Sequence, residues 1–243
     1  MIKFFRQIRY QLMSENKTGK YFKYAIGEIL LVVIGILIAL QINNWNIQSV
    51  NSKKEITYLE EIKENLKTDL KKIDSILIFN QTKHQTIIEI LKDFESPDGR
   101  NDAQILGPRF GMVGQYDKFT PNDLGFKNLI SAENIGLIKN NELRKKILDY
   151  YNFDFKTGTQ ERIEQVTRDF VDHSVPIMTT SNRFMRFYNV QLDIQSDSDV
   201  RLSDDLQFLS NLHLMDVVMG FQNDLLTETQ KDILKLIEEI ETK

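Results

Sequence analysis

Apolar residues are most concentrated near the start of the chain, in the stretch Tyr24–Trp45. Over positions 25–42 only Glu28 and Gln41 are neither apolar nor glycine. A helix over this run rises about 1.5 Å per residue and reaches roughly 27 Å, close to the hydrocarbon thickness of a bilayer. Because lipid offers backbone groups no hydrogen-bond partner, such a segment must be helical. The pattern predicts one transmembrane helix over residues 24–45.

The residues at both ends of this run support a retained anchor. Tyr21, Phe22 and Tyr24 precede the run and Trp45 follows it, and amphipathic rings are typical of the membrane interface. The residues after the run contain no small-residue cleavage pattern of a secretory signal. We therefore expect a signal anchor that stays in the protein.

The basic residues predict the orientation of the anchor. Six precede the run, whereas only Lys53 and Lys54 follow it as far as Glu60. The six are Lys3, Arg6, Arg9, Lys17, Lys20 and Lys23. An excess of Lys and Arg marks the cytoplasmic side. The N-terminus is thus expected in the cytoplasm, and the bulk of the chain on the other side of the membrane.

Residues 2–13 form a basic amphipathic pattern of their own. Phe4, Phe5, Ile8 and Leu12 fall on one helical face, opposite the basic side chains. A helix of this type lies at the surface of an anionic membrane leaflet. We expect contact with lipid here, and a protein-binding segment is the alternative.

A second apolar pattern begins after the anchor and has helical spacing. Lys53–Glu95 contains neither proline nor glycine, and its apolar residues recur at steps of three and four. The residues on this face are Leu59, Ile62, Leu66, Leu70, Ile73, Leu77, Ile87, Leu91 and Phe94. Asn80 and His84 occupy the seam positions between them, where they would fix register or mark the end of a partner helix. The pattern predicts one long helix, which can continue the membrane span.

Shorter elements follow that helix. Ser96 to Gly99 ends it, and the glycine- and proline-rich stretch 96–121 is expected to be an irregular crossover rather than a ligand loop. Three helices are then predicted, at Asp123–Glu133, Glu142–Phe155 and Thr159–His173. The first would bury Leu124, Leu129 and Ile130. Asn140 or Asn141 is expected to cap the second, and Pro176 to end or kink the third.

The C-terminal region predicts the partner of the long helix. Residues 189–205 read as a polar loop, with Asp204 as a candidate cap for the helix that follows. Its expected apolar face is Leu214, Val218, Phe221, Leu225, Ile233, Leu236 and Ile240. An antiparallel pairing with Lys53–Glu95 within one chain is favoured over a parallel coiled coil between chains. The fold class is therefore all-α, with a basic segment (1–23), a span (24–45) and an extracytoplasmic helical bundle (46–243).

Composition narrows the classes of partner. The chain of 243 residues has a net charge of −4 and no cysteine, which excludes disulfides and thiolate metal sites. Residues 1–46 carry +4, so the remainder carries −8. A strongly acidic domain argues against a nucleic-acid partner.

The N-terminal residues also carry a resemblance. Ser14-Glu15-Asn16-Lys17, Tyr24-Ala25-Ile26-Gly27-Glu28-Ile29, Val32–Leu40 and Gln41-Ile42-Asn43-Asn44-Trp45-Asn46 resemble the signature of an uncharacterised membrane-protein family of Bacteroidota, labelled a domain of unknown function. The resemblance is specific over residues 1–46 and weaker around Leu129–Tyr151. It implies a single-span bacterial protein with a periplasmic domain, and it implies no activity, ligand or catalytic residue.

Two features of the span suggest contacts inside the membrane. Glu28 is an ionisable group within an apolar run, which either reaches the headgroups from one turn inside the boundary or pairs with another span. The boundary position costs far less free energy and is our expectation. Gly35 and Ala39 form a small-xxx-small pair, a weak signal for a homo-oligomer through the span.

Motifs that would indicate an enzyme are missing from the sequence. It contains no hydrolase elbow, phosphate loop, zinc motif or paired-carboxylate signature, and His84, His173 and His213 fall in different predicted helices. Asp169 and His173 are spaced as half of a metal site, with no second pair visible. We therefore expect neither catalysis nor a cofactor.

Two functions then compete. The first is a membrane-anchored interaction or scaffold module with an unknown protein partner, and the alternative is a ligand-sensing helical bundle. A sensor would have to signal through a separate protein, because residues 1–23 are too short for an output domain. An exposed apolar patch would favour the scaffold, and a buried polar pocket would favour the sensor.

Overall fold

A computed structural model describes Tyr10, residues 18–193 and residues 201–242. The predicted amphipathic segment 2–13 lies outside the described residues, apart from Tyr10. No β-strand occurs in the described part of the chain, so the all-α prediction is confirmed there. The chain divides into two compact units, Met1–Thr57 and Tyr58–Lys243.

The helices follow in a simple order along the chain. They are α1 (Thr18–Glu95), α2 (Asp102–Leu106), α3 (Phe110–Val113), α4 (Leu124–Ser131), a 3₁₀ turn (Ile135–Leu137), α5 (Asn141–Asn152), α6 (Thr159–Met178), α7 (Ser181–Tyr188) and α8 (Leu206–Glu241). The predicted span and the predicted long helix are therefore one continuous helix, α1. The stretch 96–121 is less irregular than expected, because it contains α2 and α3.

The described residues of the first unit, apart from Tyr10, form the N-terminal part of α1. Its most apolar window is long enough to cross a membrane and has none of its residues buried, the only such helix among the described residues. Apolar side chains such as Ile29, Leu37 and Ile42 are exposed on all sides of the helix. Trp45 is exposed as well, and a Cβ added at Gly35 would meet nothing within 4 Å. By length and composition this helix is able to span a membrane.

In the second unit, α1 and α8 pair in antiparallel directions. Four contacts join the two helices, and the residue number rises along α1 as it falls along α8, which shows that the helices are antiparallel. They join Lys63 to Glu241, Asp74 to Gln230, Asn80 to Gln222 and His84 to Asp216. The antiparallel direction predicted for these two helices is thus found in this unit, although α8 packs most extensively on α6.

The predicted seam on α1 is largely confirmed. Leu59, Ile62, Leu66 and Ile73 are buried, and Leu70 and Leu77 are partly buried against the same core. Leu91 is exposed, contrary to the prediction. Ile87 is buried as predicted, and the buried face also includes Ile76 and Ile90, which the prediction did not name.

The predicted face of α8 is only partly right. Val218, Ile233, Leu236 and Ile240 are buried, whereas Phe221 is exposed, and Leu214 and Leu225 are half-buried. The buried face is Phe208, Leu212, Met215, Val218, Met219, Gln222, Leu226, Thr229, Ile233, Leu236 and Ile240. Two polar residues of this face, Gln222 and Thr229, stand where a hydrophobic pattern expects apolar ones. The prediction placed the apolar Phe221 on the buried face, although the neighbouring Gln222 occupies that position.

The rotation of α4 also differs from the prediction. Leu129 is buried, but Leu124 is 63% exposed and Ile130 is exposed as well. The cause is Gly125, where an added Cβ would lie 3.1 Å from the Glu61 Cβ of α1. Because α1 approaches so closely, the edge of α4 that carries Gly125 and Leu129 faces inwards.

The helix ends confirm one prediction and correct two. As predicted, Asn140 caps α5, by accepting hydrogen bonds from the N–H groups of Glu142 and Leu143, whereas Asp205 rather than Asp204 caps α8. Pro176 does not end α6, which continues to Met178. Residues 189–193 and 201–205 are non-helical as predicted, and residues 194–200 of that loop lie outside the described part.

The seam between α1 and α8 provides a stability test. Ile233 is fully buried, and its neighbour Leu234 is 55% exposed. We expect Ile233→Ala to reduce the free energy of unfolding by about 2–5 kcal/mol, because it removes buried methyl groups and leaves a cavity. Chemical denaturation of the full chain in detergent, followed by far-UV circular dichroism, measures the change.

The matched control is Leu234→Ala on the same helix. Because that side chain lies mostly in solvent, we expect a change within about 0.5 kcal/mol. Equal losses for the two variants would contradict the buried face assigned to α8.

Candidate functional site

The buried core of the second unit is divided by polar side chains. A first apolar cluster contains Leu59 to Ile76 of α1 and Leu226 to Ile240 of α8. A second contains Ile87 and Ile90 of α1 and Phe208 to Met219 of α8. Between them lie four buried side chains, here called the polar layer: Asn80, Lys83, Thr167 and Gln222.

The polar layer faces a non-helical segment. Residues 115–123, here called the crossing segment, form no helix and connect α3 to α4. Phe119 of this segment is buried in the first cluster, whereas Gln115 and Thr120 are exposed. Buried backbone N–H and C=O groups need hydrogen-bond partners, and a segment outside regular secondary structure must find them elsewhere.

Side chains from three helices supply those partners. Lys83 of α1 donates to the carbonyl of Gln115, and Gln222 of α8 donates to the carbonyl of Asp117 at 2.9 Å. Gln160 of α6 accepts from the N–H of Phe119 and donates to its carbonyl at 3.0 Å. The crossing segment is thereby held from α1, α6 and α8 together.

Asp69 anchors the end of the same segment. One carboxylate oxygen accepts from the N–H of Asn122 at 2.8 Å, and the other accepts from the Tyr150 hydroxyl at 2.8 Å. Burial raises the pKa of the Asp69 carboxyl, although both hydrogen bonds act in the opposite direction. Burial and the neighbouring Asp69 also raise the pKa of the Tyr150 hydroxyl, which therefore stays protonated as a donor.

Lys83 has the most unusual environment of the described charged groups. It is fully buried, and its other described contact is the Thr167 hydroxyl at 3.4 Å. No carboxylate of a described residue forms an ion pair with it. Burial lowers the pKa of the Lys83 ammonium to about 7. A neutral amine is a nucleophile, but here no solvent-exposed surface leads to the nitrogen, so its evident role is to hold Gln115.

An open groove lies on the other side of the first cluster, between α5 and α8. It has a volume of about 560 Å³, which is in the range of ligand sites. Its floor consists of the buried side chains of Tyr150, Phe155, Thr229 and Leu236. Phe153 and Leu225 lie at one end, and the charged residues on its rim are Lys146, Asp149, Glu228, Asp232 and Lys235.

The histidines are engaged in contacts with aspartates. His84 Nδ1 lies 2.6 Å from Asp216 Oδ1, which supports a structural role in register. His173 Nε2 lies 2.7 Å from Asp205 Oδ2, although sequence reasoning had paired His173 with Asp169. Burial raises the pKa of Asp205, but the Phe208 N–H and His173 outweigh it, so the pKa lies below its usual value.

Asp169 and His173 line a second, polar pocket together with Asp172, Gln207 and Asn211. Among the described residues, no three His, Cys, Asp or Glu side chains are grouped to hold a metal ion.

Sequence reasoning located some of these features and missed others. The anchor residues Tyr24, Glu28, Gly35, Ala39 and Trp45 all lie on α1, as predicted. The polar layer was found only at Asn80, since the prediction placed His84 rather than Lys83 in the seam. The uninterrupted step from Ile76 through Asn80 and Lys83 to Ile87 is a signal that would have found Lys83. The groove depends on the spacing of α5 and α8, for which the sequence carries no local signal.

These features define a helical protein with one candidate membrane span and a hydrogen-bonded polar layer in its core. The chain belongs to DUF6090, a family of unknown function whose model matches residues 28–157. No curated protein and no solved structure matches it. The matched part includes Asp69, Lys83 and the crossing segment, and α8 with Gln222 lies outside it.

The buried Lys83 predicts a specific dependence of stability on pH. Its pKa is about 7 in the folded chain and 10.5 in its ordinary state, so the unfolded chain binds the extra proton between these values. The free energy of unfolding should therefore rise between about pH 7 and 10.5, by up to about 1.4 kcal/mol per pH unit from this group. Below about pH 7 Lys83 is protonated in both the folded and the unfolded chain, so this group no longer makes the free energy of unfolding depend on pH.

The Lys83→Met variant should lack that contribution, whereas Lys71→Met, at an exposed position of the same helix, should keep it. Chemical denaturation of the full chain in detergent at a series of pH values gives the slopes. Identical slopes for wild type and Lys83→Met would show that Lys83 remains charged in the folded protein.

Proposed function

We propose that this chain is a membrane-anchored interaction module of a bacterium, which holds a partner protein near the cytoplasmic membrane. Residues 24–45 cross that membrane, residues 1–23 lie in the cytoplasm, and the domain that follows faces the periplasm. The resemblance of residues 1–46 to a family of Bacteroidota supports a bacterial envelope protein. The excess of basic residues before the span supports this orientation.

One observation carries the proposal: the apolar window of α1 has no residue covered by the rest of the chain. Ile29, Leu37 and neighbouring side chains are exposed on every face, so packing inside the protein does not account for them. A bilayer offers an apolar helix the environment it requires. The second unit has its own buried core and needs no membrane for it.

The groove between α5 and α8 supplies a surface for recognition. Apolar side chains form its floor and charged side chains its rim, which is the usual composition of a protein interface. The module binds rather than catalyses, because the sequence contains none of the catalytic motifs considered above. Nucleic acid is a poor partner for a domain with a net charge of −8.

A ligand-sensing bundle is the second candidate, and Lys83 is the observation that favours it. Its charge changes near neutral pH, and it holds the crossing segment between two halves of the core. Ligand binding or a change in proton concentration would then alter how α1 and α8 are joined. The signal would pass to a separate protein through the span.

The orientation is tested with two reporters. Alkaline phosphatase, which is active only in the periplasm, should be active when fused after Lys243, and a cytoplasmic fluorescent protein fused there should stay dark. A stable fusion with the opposite pattern would place the domain in the cytoplasm and overturn the proposed topology.

The interaction role is tested by cross-linking and affinity purification from native membranes. A specific partner should be recovered with the wild-type chain and with a chimera that carries residues 46–243 on an unrelated single-span anchor. It should be lost from a chimera that keeps residues 1–57 and carries an unrelated soluble domain. Circular dichroism and abundance verify both chimeras.

If the partner is instead recovered only with the chimera that keeps residues 1–57, the span is the binding element, and Glu28 is its first candidate residue. In that case Glu28→Gln should also lose the partner at matched abundance. Recovery of no specific partner with the wild-type chain would contradict the interaction role.

A further inference from the structure

The groove between α5 and α8 has two defined ends. Lys146 of α5 and Glu239 of α8 form an ion pair at one end. Phe153 and Leu225 lie at the other, so the two helices run in opposite directions along the groove. The floor is apolar, and α5 packs less extensively on α8 than α6 does, which leaves the space of about 560 Å³ open.

An exposed aromatic ring stands beside this space. Phe153 is 52% exposed, and its ring centroid lies 4.6 Å from that of Phe155, which is buried in the floor. A large apolar side chain at the edge of an apolar groove is typical of an interface anchor. The same surface thus carries both a projecting ring and a cavity of suitable chemistry.

We propose that a second copy of this chain covers the groove. The two copies are related by a two-fold axis parallel to α5 and α8, and Phe153 of each copy enters the groove of the other. Such an isologous contact requires a surface that is complementary to itself. The inference rests on the proposed interaction role and names the occupant of its groove as a second copy, so the partner protein proposed above would bind another face of the domain.

The charges on the two groove walls meet that requirement. A parallel two-fold axis places α5 of one copy opposite α8 of the other at the same height. Since Lys146 is level with Glu239, Asp149 lies about 4.5 Å further along α5, and Lys235 about 6 Å further along α8. Asp149 is therefore level with Lys235 of its own chain across the groove and, through the two-fold axis, with Lys235 of the second copy, and the signs are opposite.

The charged residues that line the groove also favour a second copy of this chain over a different protein. Asp149 forms no ion pair with any described residue, whereas Lys235 has only a contact of 3.5 Å with Asp232 in an exposed position. The groove lining carries both signs, so neither a strongly basic nor a strongly acidic partner would match all of it. A membrane anchor confines the copies to one surface, which raises their effective concentration.

The absence of cysteine from the sequence allows a direct cross-linking test. Phe153→Cys, in the full chain in native membranes, should form a disulfide-linked dimer under mild oxidation. Phe187→Cys replaces a phenylalanine of α7 that is 68% exposed, and it is the matched control. We expect Phe153→Cys to cross-link at least tenfold faster, because a two-fold axis brings the two cysteines together.

Charge reversal provides an independent measurement. Asp149→Lys should shift the purified full chain in detergent from dimer to monomer, as measured by sedimentation. Adding Lys235→Glu to that variant should restore the dimer, because the opposite signs are regained at the same height. Both side chains are exposed, and a circular dichroism spectrum like that of the wild type verifies the fold.

Three outcomes would overturn the proposal. They are equal cross-linking rates for Phe153→Cys and Phe187→Cys, a monomeric wild-type chain, and a dimer that Asp149→Lys leaves intact. Recovery of a different protein bound through Phe153, with the chain itself monomeric, would assign the groove to that partner instead. The cross-linked dimer and the restored double variant together would support the second copy.

Discussion

The domain depends on how the crossing segment satisfies its buried backbone groups. Residues 115–123 form no helix, and no strand is present among the described residues to bond them. Lys83, Gln160 and Gln222 supply the partners, and each comes from a different helix. An unpaired buried polar group costs about 1–3 kcal/mol, so loss of any one contact would destabilise the domain. Asp69 joins the end of the segment, just before α4, to Tyr150 of α5.

The same contacts also specify how α1 and α8 align. An apolar seam alone allows two helices to slide by one turn with little loss of buried area, whereas a polar layer has partners at one register only. Asn80 reaches both Gln222 and Asn223, and Gln222 in turn reaches the crossing segment. A slip of one turn would leave these groups buried without partners. Specificity rather than added stability is the physical reason for polar residues in this core.

Sequence reasoning performed well wherever one physical effect dominates. The apolar N-terminal helix follows from the run of apolar residues, and the long helix that continues it follows from periodicity and from the absence of proline and glycine between 53 and 95. It failed at Phe221 and Leu124, where the rotation of a helix depends on its neighbours. At Gln222 a polar residue occupies a core position because the crossing segment needs a donor, and at Gly125 a close approach of α1 fixes the facing edge. The groove could not be predicted, because it is a gap between helices rather than a property of either.

The antiparallel pairing of α1 with α8 has a consequence for how the chain matures. Contacts such as Asn80 to Gln222 join residues that are far apart in sequence, and such contacts form slowly. Because a chain is made from its N-terminus, the apolar face of α1 is complete long before α8 has been synthesised. The crossing segment likewise waits for Gln222 before its backbone is fully bonded. During this interval the apolar face of α1 has no partner from α8, so the domain cannot complete its core before the last helix has been made.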